Sequence, residues 1–196
     1  MFAILLWLAA CECIDEPVPE TTNAYLPLAI GNYWNFRTVG WTGDQPSEHR
    51  EVVDLVKING REYYLLKSSS LSGDDRAYED STYYRVDKDG FVYVYNKNTE
   101  LEENRFRLNS NDGDSWAYSN KEDYEVTITV RELTKDIDVA QIANCKDYSL
   151  DVEEWVDEEY TYTLAPGIGF LKEFSDGWGA GQVLKSAMVN GKEIKF

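Results

Sequence analysis

The sequence predicts an all-β protein, built as a single antiparallel, strongly curved sheet or partly open barrel. Three observations predict it. From about Asn23 to the C-terminus the apolar residues alternate with polar ones at period two rather than at helical spacing. Turn signals such as Asn59-Gly60 and Asn190-Gly191 interrupt the alternation. Finally, five positions of one eleven-residue segment (Leu, Gly, Asn or Asp, Trp and a ring) recur in register in a second, which suggests internal duplication of a β unit.

The elements follow in chain order. Val52 to Lys67 holds two apolar runs joined by Asn59-Gly60, and Val183 to Phe196 holds two joined by Asn190-Gly191. Both read as hairpins, because a two-residue turn that matches strand twist needs φ > 0, which Asn and Gly tolerate. A third hairpin is predicted from Tyr83 to Tyr95 around Asp87-Lys88-Asp89-Gly90, a loop suited to a type I turn closed by a left-handed glycine. In its second arm, Phe91-Val92-Tyr93-Val94-Tyr95, rings occupy one face and valines the other, which suits a strand covered on both sides or lining a cavity.

Val126, Ile128 and Val130 alternate with Thr127, Thr129 and Arg131, and Tyr160, Tyr162 and Leu164 alternate with Thr161 and Thr163, giving two half-buried strands. Glu132 to Ala143 admits a helical turn or a strand and is read as mostly extended. Pro166-Gly167 followed by Gly169 is a tight turn into a strand, with no helix after it to make a phosphate cradle.

The internal echo aligns Leu26-Pro27-Leu28-Ala29-Ile30-Gly31-Asn32-Tyr33-Trp34-Asn35-Phe36 with Leu108-Asn109-Ser110-Asn111-Asp112-Gly113-Asp114-Ser115-Trp116-Ala117-Tyr118. Each copy reads as a turn that delivers a strand. The glycine takes a left-handed or tight-turn conformation, Asn32 or Asp114 bonds local backbone, and Trp34 and Trp116 are expected in the core.

Residues 2–10 are an uncharged apolar run ending at Cys11, after which Glu12, Asp15, Glu16, Pro17 and Pro19 follow. The run is too short to span a bilayer, which takes about 20 residues, so it reads as the apolar core of a signal peptide. Leu8-Ala9-Ala10-Cys11 resembles the lipobox of bacterial lipoproteins, which implies lipidation of Cys11. No basic residue precedes Phe2, which leaves the natural start open. The expected organisation is a lipoprotein signal peptide over residues 1–10, an acidic tether over 11–22 and one all-β domain over 23–196. One domain suits the length, since about 100–200 residues usually form a single compact unit.

The formal charge of −17 argues against a nucleic-acid partner and makes membrane attachment depend on the acyl chains. Of the remaining cysteines, Cys13 and Cys145, a bridge stays open in an oxidising envelope, and a free, buried Cys145 is the reading favoured.

Candidate chemistry is sparse. His49 is the single histidine, beside Glu48 and Arg50 in a stretch read as loop or strand edge, so triads and zinc sites lack ligands. Asn109-x-Asn111-Asp112-Gly113-Asp114 resembles a calcium loop superficially, but Asn120 stands where the twelfth-position Glu belongs. Backbone capping is the expected role of its oxygens. No catalytic residue, metal site or cofactor is expected. The acidic cluster around Trp155 (Asp151, Glu153, Glu154, Asp157, Glu158 and Glu159) reads as a solvated hairpin tip. The candidate ligand-binding residues are Trp41 beside Gly40 and Gly43, Trp155, and Trp178 in Gly177-Trp178-Gly179, because exposed indoles suit sugar faces, lipids and protein interfaces.

The residues also carry a family resemblance. Tyr25 to Trp34 resembles the aromatic-x-Pro-Leu-x-x-Gly-Asn-x-Trp opening of a broad group of uncharacterised Gram-negative envelope lipoproteins. Asp112-Gly113-Asp114-Ser115-Trp116, Asn144-Cys145 and Ala165-Pro166-Gly167-Ile168-Gly169-Phe170-Leu171-Lys172 resemble their later motifs. The likeness implies a curved antiparallel sheet and brings no catalytic residues. The acidic residues after Cys11 resemble sorting signals of surface-exposed lipoproteins in some Gram-negative groups.

The functional expectation is a non-enzymatic, palmitate-bearing module of the cell envelope, placed at the outer membrane and facing the periplasm or the surface. It would be held by its N-terminal lipid and bind a protein, glycan or apolar ligand. The alternatives are a glycan hydrolase with paired carboxylates about 5–10 Å apart beside an aromatic wall, and an assembly partner recognised through an exposed edge strand.

Overall fold

The structure is a computed structural model that describes residues 24–40, 48–71, 77–119, 124–137, 140–152 and 159–196. Among them there is no helix. The strands are β1 (Tyr33–Val39), β2 (Glu48–Ile58), β3 (Arg61–Leu71), β4 (Ala77–Val86), β5 (Phe91–Asn96), β6 (Leu101–Arg107), β7 (Ser115–Ser119), β8 (Glu125–Ile137), β9 (Ala140–Val152), β10 (Tyr160–Ala165), β11 (Gly169–Ser175), β12 (Ala180–Val189) and β13 (Lys192–Lys195).

All pairings are antiparallel, in the order β6-β5-β4-β3-β2-β1-β12-β11-β10-β9-β8-β7, with β13 on β12. The sheet is barrel-shaped and nearly closed, with one unsealed seam. In this order the outermost strands are β6 and β7. Two consecutive meanders, β1 to β6 and β7 to β12, join where β1 pairs with β12.

The repeated segment is the lead-in to each meander, with the same geometry in both. Gly31 and Gly113 have φ of 88° and 85°. The N–H of Gly31 donates to the Val52 carbonyl and that of Val52 returns to Asn32; Gly113, Val130 and Asp114 repeat the exchange, all at 2.9 Å. Leu26 and Leu108, Trp34 and Trp116 are buried at equivalent places. The echo in sequence is therefore matched by an echo in local backbone geometry.

The three predicted hairpins form. Asn59 and Gly60 (φ 50° and 85°) join β2 to β3, and Asn190 and Gly191 (φ 50° and 75°) join β12 to β13, with both turn residues left-handed as the primed turn demands. At Asp87 the side chain accepts from the N–H groups of Asp89 and Phe91, and Gly90 closes the turn at φ 80°. Glu132 to Ala143 falls in β8 and β9, with residues 138–139 outside the described set.

Closure needs curvature, and the strand registers supply it. Pairing slips at Asn35/Phe36, Val52/Asp54, Val92/Tyr93, Leu133/Lys135 and Thr163/Leu164. Each slip adds local twist and bends its strand.

The interior is apolar at one end. Trp34, Phe36, Val52, Leu66, Phe106, Tyr148, Leu164, Phe170 and Leu184 are buried there. Trp34 meets Phe170 edge-on at 5.4 Å, and Phe106 meets Tyr148 at 5.0 Å. The lead-in residues Leu26 and Leu28 are buried in the same core, and Ala24 accepts a hydrogen bond from Gly167 in the β10–β11 turn. The chain thus enters the domain at the apolar end.

β5 is covered on both sides, as its pattern predicts. Val92 and Val94 join the interior core, while Tyr95 packs outside with Tyr63 and Tyr83. There Glu102 accepts from the Tyr63 hydroxyl at 2.6 Å and from Arg85 at 2.9 Å.

Candidate functional site

Opposite the apolar end, the interior opens into a cavity of about 400 Å³ lined by Glu48, Arg50, Ser68, Asp80, Thr82, Tyr84, Val94, Arg105, Tyr162 and Glu173. These residues come from seven strands, near the end where β2, β4 and β10 begin and β3, β5 and β11 finish. A second recess of about 440 Å³ shares Asp80, Thr82, Val94 and Arg105 and continues past Glu103 and Lys97.

Alternation places most of the lining. Glu48 and Arg50 share the inward face of β2 with Val52; Asp80 and Thr82 share that of β4 with Tyr84. Arg105 arrives differently. Val92 pairs with Phe106 and Tyr93 with Asn104, so Arg105 is the extra residue of a bulge, and Glu103 and Arg105 both reach recesses that Val94 lines. A regular strand would send Arg105 and its neighbour Phe106 to opposite faces.

Arg50 is the most constrained group of the site. Its guanidinium donates from Nε and Nη2 to Glu48 Oε1 at 3.0 and 2.8 Å, from Nη2 to Glu173 Oε2 at 3.2 Å, and from Nη1 to Glu173 Oε1. Its Cζ lies 5.0 Å from the Phe36 ring and 5.2 Å from that of Phe170. Gln182 donates to the other oxygen of Glu48. Burial pushes the Glu48 carboxyl up, but the charge of Arg50 and hydrogen bonds from Arg50, Gln182 and Ser68 outweigh it and hold it below its ordinary value. Burial likewise disfavours charge on Arg50, yet Glu173 and Glu48 keep it firmly protonated.

Arg105 donates to Glu103 Oε2 at 2.5 Å and has a long contact, 3.4 Å, to the Tyr162 hydroxyl. Its buried Nε has no hydrogen-bond partner among the described residues. Tyr84 and Tyr162 form the ring-bearing wall, and burial raises the phenol pKa of each. The cavity thus offers three carboxylates against two guanidiniums, and Arg105 is further balanced by Glu103.

Two converging, partly buried carboxylates beside an aromatic wall are therefore present as Glu48 and Glu173. They converge on Arg50. A carboxyl kept protonated for general-acid work needs an apolar pocket or a like charge beside it, whereas Glu48 has a cation against it.

The sequence placed its ligand candidates elsewhere. Trp178 sits on the turn between β11 and β12, at the cavity end of the barrel, with 59% of its surface exposed. Trp41 and Trp155 lie outside the described residues, between β1 and β2 and between β9 and β10, as does Cys11. The cavity residues escaped sequence reading because charged residues on a strand look solvated until the sheet curls. The one available signal was the unbroken polar alternation at the start of β2 and β4.

His49 lies within β2, not in a loop, and bonds Asn35 Oδ1 at 2.7 Å. The calcium-like loop spends its oxygens on backbone: Asp114 accepts from Asn111 N, and Asp112 from Glu132 N. Cys145 is free and buried, its Sγ 3.2 Å from the Ile142 carbonyl. Cys13 lies outside the described residues.

No family model matches the chain, and no curated protein matches it. Two solved structures are similar. One is described as an exported protein with a YmcC-like fold from Bacteroides fragilis, at TM-score 0.45 and 12% identity, covering 85% of this chain and 97% of that one. The other is described as a lipoprotein from Parabacteroides distasonis, at TM-score 0.45 and 11% identity, covering 87% of this chain and 98% of that one. Neither description specifies a ligand or an activity.

Proposed function

We propose that this chain is a lipid-anchored envelope protein and a non-enzymatic binding module whose ligand site is the polar cavity at the open end of the barrel. The observation that carries the reading is the cavity itself. Its volume falls in the range of small-molecule sites, about 300–1,000 Å³. A sheet curled only for stability would fill its interior mainly with apolar side chains, as the other end of this barrel does around the buried Lys146. Burying Glu48, Arg50, Glu173 and Arg105 costs desolvation that packing alone gives no reason to incur.

Envelope attachment rests on the lipobox-like ending at Cys11 and the acidic tether. Since Ala24 sits at the apolar end, a lipid on Cys11 would attach the barrel to the bilayer through that end. The tether of 13 residue steps reaches at most about 45 Å. Trp178 at the rim would add contacts to a ligand entering the cavity.

The glycan hydrolase remains the second reading, because Glu48 and Glu173 converge beside tyrosines. Arg50 between them favours binding over acid–base chemistry. Two experiments test the proposal. Labelled palmitate should enter the wild-type protein and not Cys11→Ala; equal labelling rejects the anchor. Thermal-shift screening of the purified full-length chain should find small polar compounds whose stabilisation disappears in Thr82→Phe and Ser68→Leu, which fill the cavity; a screen in which neither variant changes any response rejects the site.

A further inference from the structure

Resting on that reading of the cavity, we propose that its ligand is a neutral, hydroxyl-rich ring, a mono- or disaccharide, and that Arg105 determines this specificity.

Charge excludes the first rival. The inner cavity carries three carboxylates and two guanidiniums inside a chain of net charge −17, so a phosphate or carboxylate entering it is repelled overall. Nor is Arg105 a spare cation for such a group, because Glu103 already balances it. An acyl chain fares worse. It would strip water from Glu48, Asp80, Arg105 and Glu173 and return no hydrogen bonds.

What the cavity does hold is unspent hydrogen-bonding capacity of both kinds. Arg105 lines the cavity, and its Nη groups make one firm hydrogen bond, to Glu103, and only a long contact to Tyr162, while its unpartnered Nε is sealed from solvent. Glu48 is saturated by Arg50, Gln182 and Ser68, but each Glu173 oxygen takes one hydrogen bond from Arg50 and keeps a lone pair, and Asp80 uses one oxygen on the Ser81 N–H. A hydroxyl is donor and acceptor at once, so it can accept from Arg105 while donating to a carboxylate, and such chains strengthen one another. Ser68 and Thr82 add further hydroxyls between these groups, and Tyr84, Tyr162 and Val94 supply apolar surface for C–H faces. Both guanidiniums are already paired with carboxylates, which leaves no free pole for the carboxylate of an amino-acid zwitterion.

The decisive element is the bulge at Arg105. It places a donor whose charge is neutralised, but whose hydrogens are not all used, among acceptors, which suits an uncharged hydroxyl and little else.

Titration calorimetry and thermal shift of the full-length chain with glucose, galactose, mannose, N-acetylglucosamine, maltose and cellobiose test this, with glucuronate, glutamate, lysine and palmitate as comparators. The expected result is binding of a neutral sugar, abolished in Thr82→Phe and weakened about tenfold or more in Arg105→Met. Circular dichroism confirms that each variant is folded. If Arg105→Met does not fold, Tyr162→Phe carries the test, and unchanged sugar affinity there overturns the proposal. Preference for glucuronate, an amino acid or palmitate, blocked by Thr82→Phe, overturns the saccharide inference and leaves the binding site standing. Sugar binding untouched by Thr82→Phe and Arg105→Met overturns the inference by placing the site elsewhere. No cavity-dependent binding in the whole panel overturns both.

Discussion

The indole N–H of Trp34 donates to the backbone carbonyl of Ile168 at 2.6 Å, across 134 residues of sequence. Trp116, its counterpart in the second meander, donates to Asn104 at 3.1 Å. One ring ties the first lead-in to the β10–β11 turn; the other spans the seam between β6 and β7. The same local sequence thus performs two different closures, because each meander meets a different neighbour.

Trp34→Phe and Trp116→Phe should therefore fail in different places. Each leaves a carbonyl without its donor, at a cost of about 1–3 kcal/mol. Hydrogen exchange should accelerate around Ile168 and Gly169 in the first variant and along β6 and β7 in the second. Uniform acceleration in both would contradict the assignment of Trp116 to the seam.

Arg50→Met should destabilise the domain by about 3–5 kcal/mol at neutral pH, because Glu48 and Glu173 would remain buried without their cation. The pH dependence has a definite sign. The folded pKa of Glu48 is depressed, so its contribution is present above the unfolded value, about 4.3, and is lost as pH falls through the folded value. The gap between wild type and variant should accordingly narrow in denaturant melts below about pH 4. A gap that stays constant to pH 3 would refute the role of Arg50.

Lys146 is buried and donates from Nζ to the carbonyls of Leu108 and Ser110 at 2.9 and 2.5 Å, 4.7 Å from the Tyr25 ring. Burial lowers its pKa, with Glu132 opposing the shift. Lys146→Met keeps the stem but strands two carbonyls, and should cost about 1–3 kcal/mol, read as a lower melting temperature. A neutral effect would mean that the second lead-in is held without it.

Burial pushes the Cys145 thiol up, which leaves little thiolate to react. In a Cys11→Ser, Cys13→Ser background, Cys145 should react with an aromatic disulfide reagent only on unfolding, with a rate that climbs with denaturant. Fast labelling of the native protein would contradict its burial.

Much of the architecture was legible in the sequence because its causes are local. Period-two alternation, left-handed Asn-Gly turns and the repeated Gly-x-x-Trp lead-in each follow from the conformational preferences of a few adjacent residues. They fix the all-β class, the hairpins and the recurring lead-in. The cavity had no such signature. Glu48, Arg50, Arg105 and Glu173 are polar residues on strands, and their meaning depends on which face the curl turns inward. The bulge at Arg105 reverses even the alternation that would place it. The sequence by itself determined strands, turns and two similar lead-ins, since these are encoded within a dozen residues. Only tertiary structure decided that one end of the barrel would be packed and the other polar and open. That outcome depends on register slips in five strand pairs and on ion pairs such as Arg50–Glu173, whose members lie 123 residues apart.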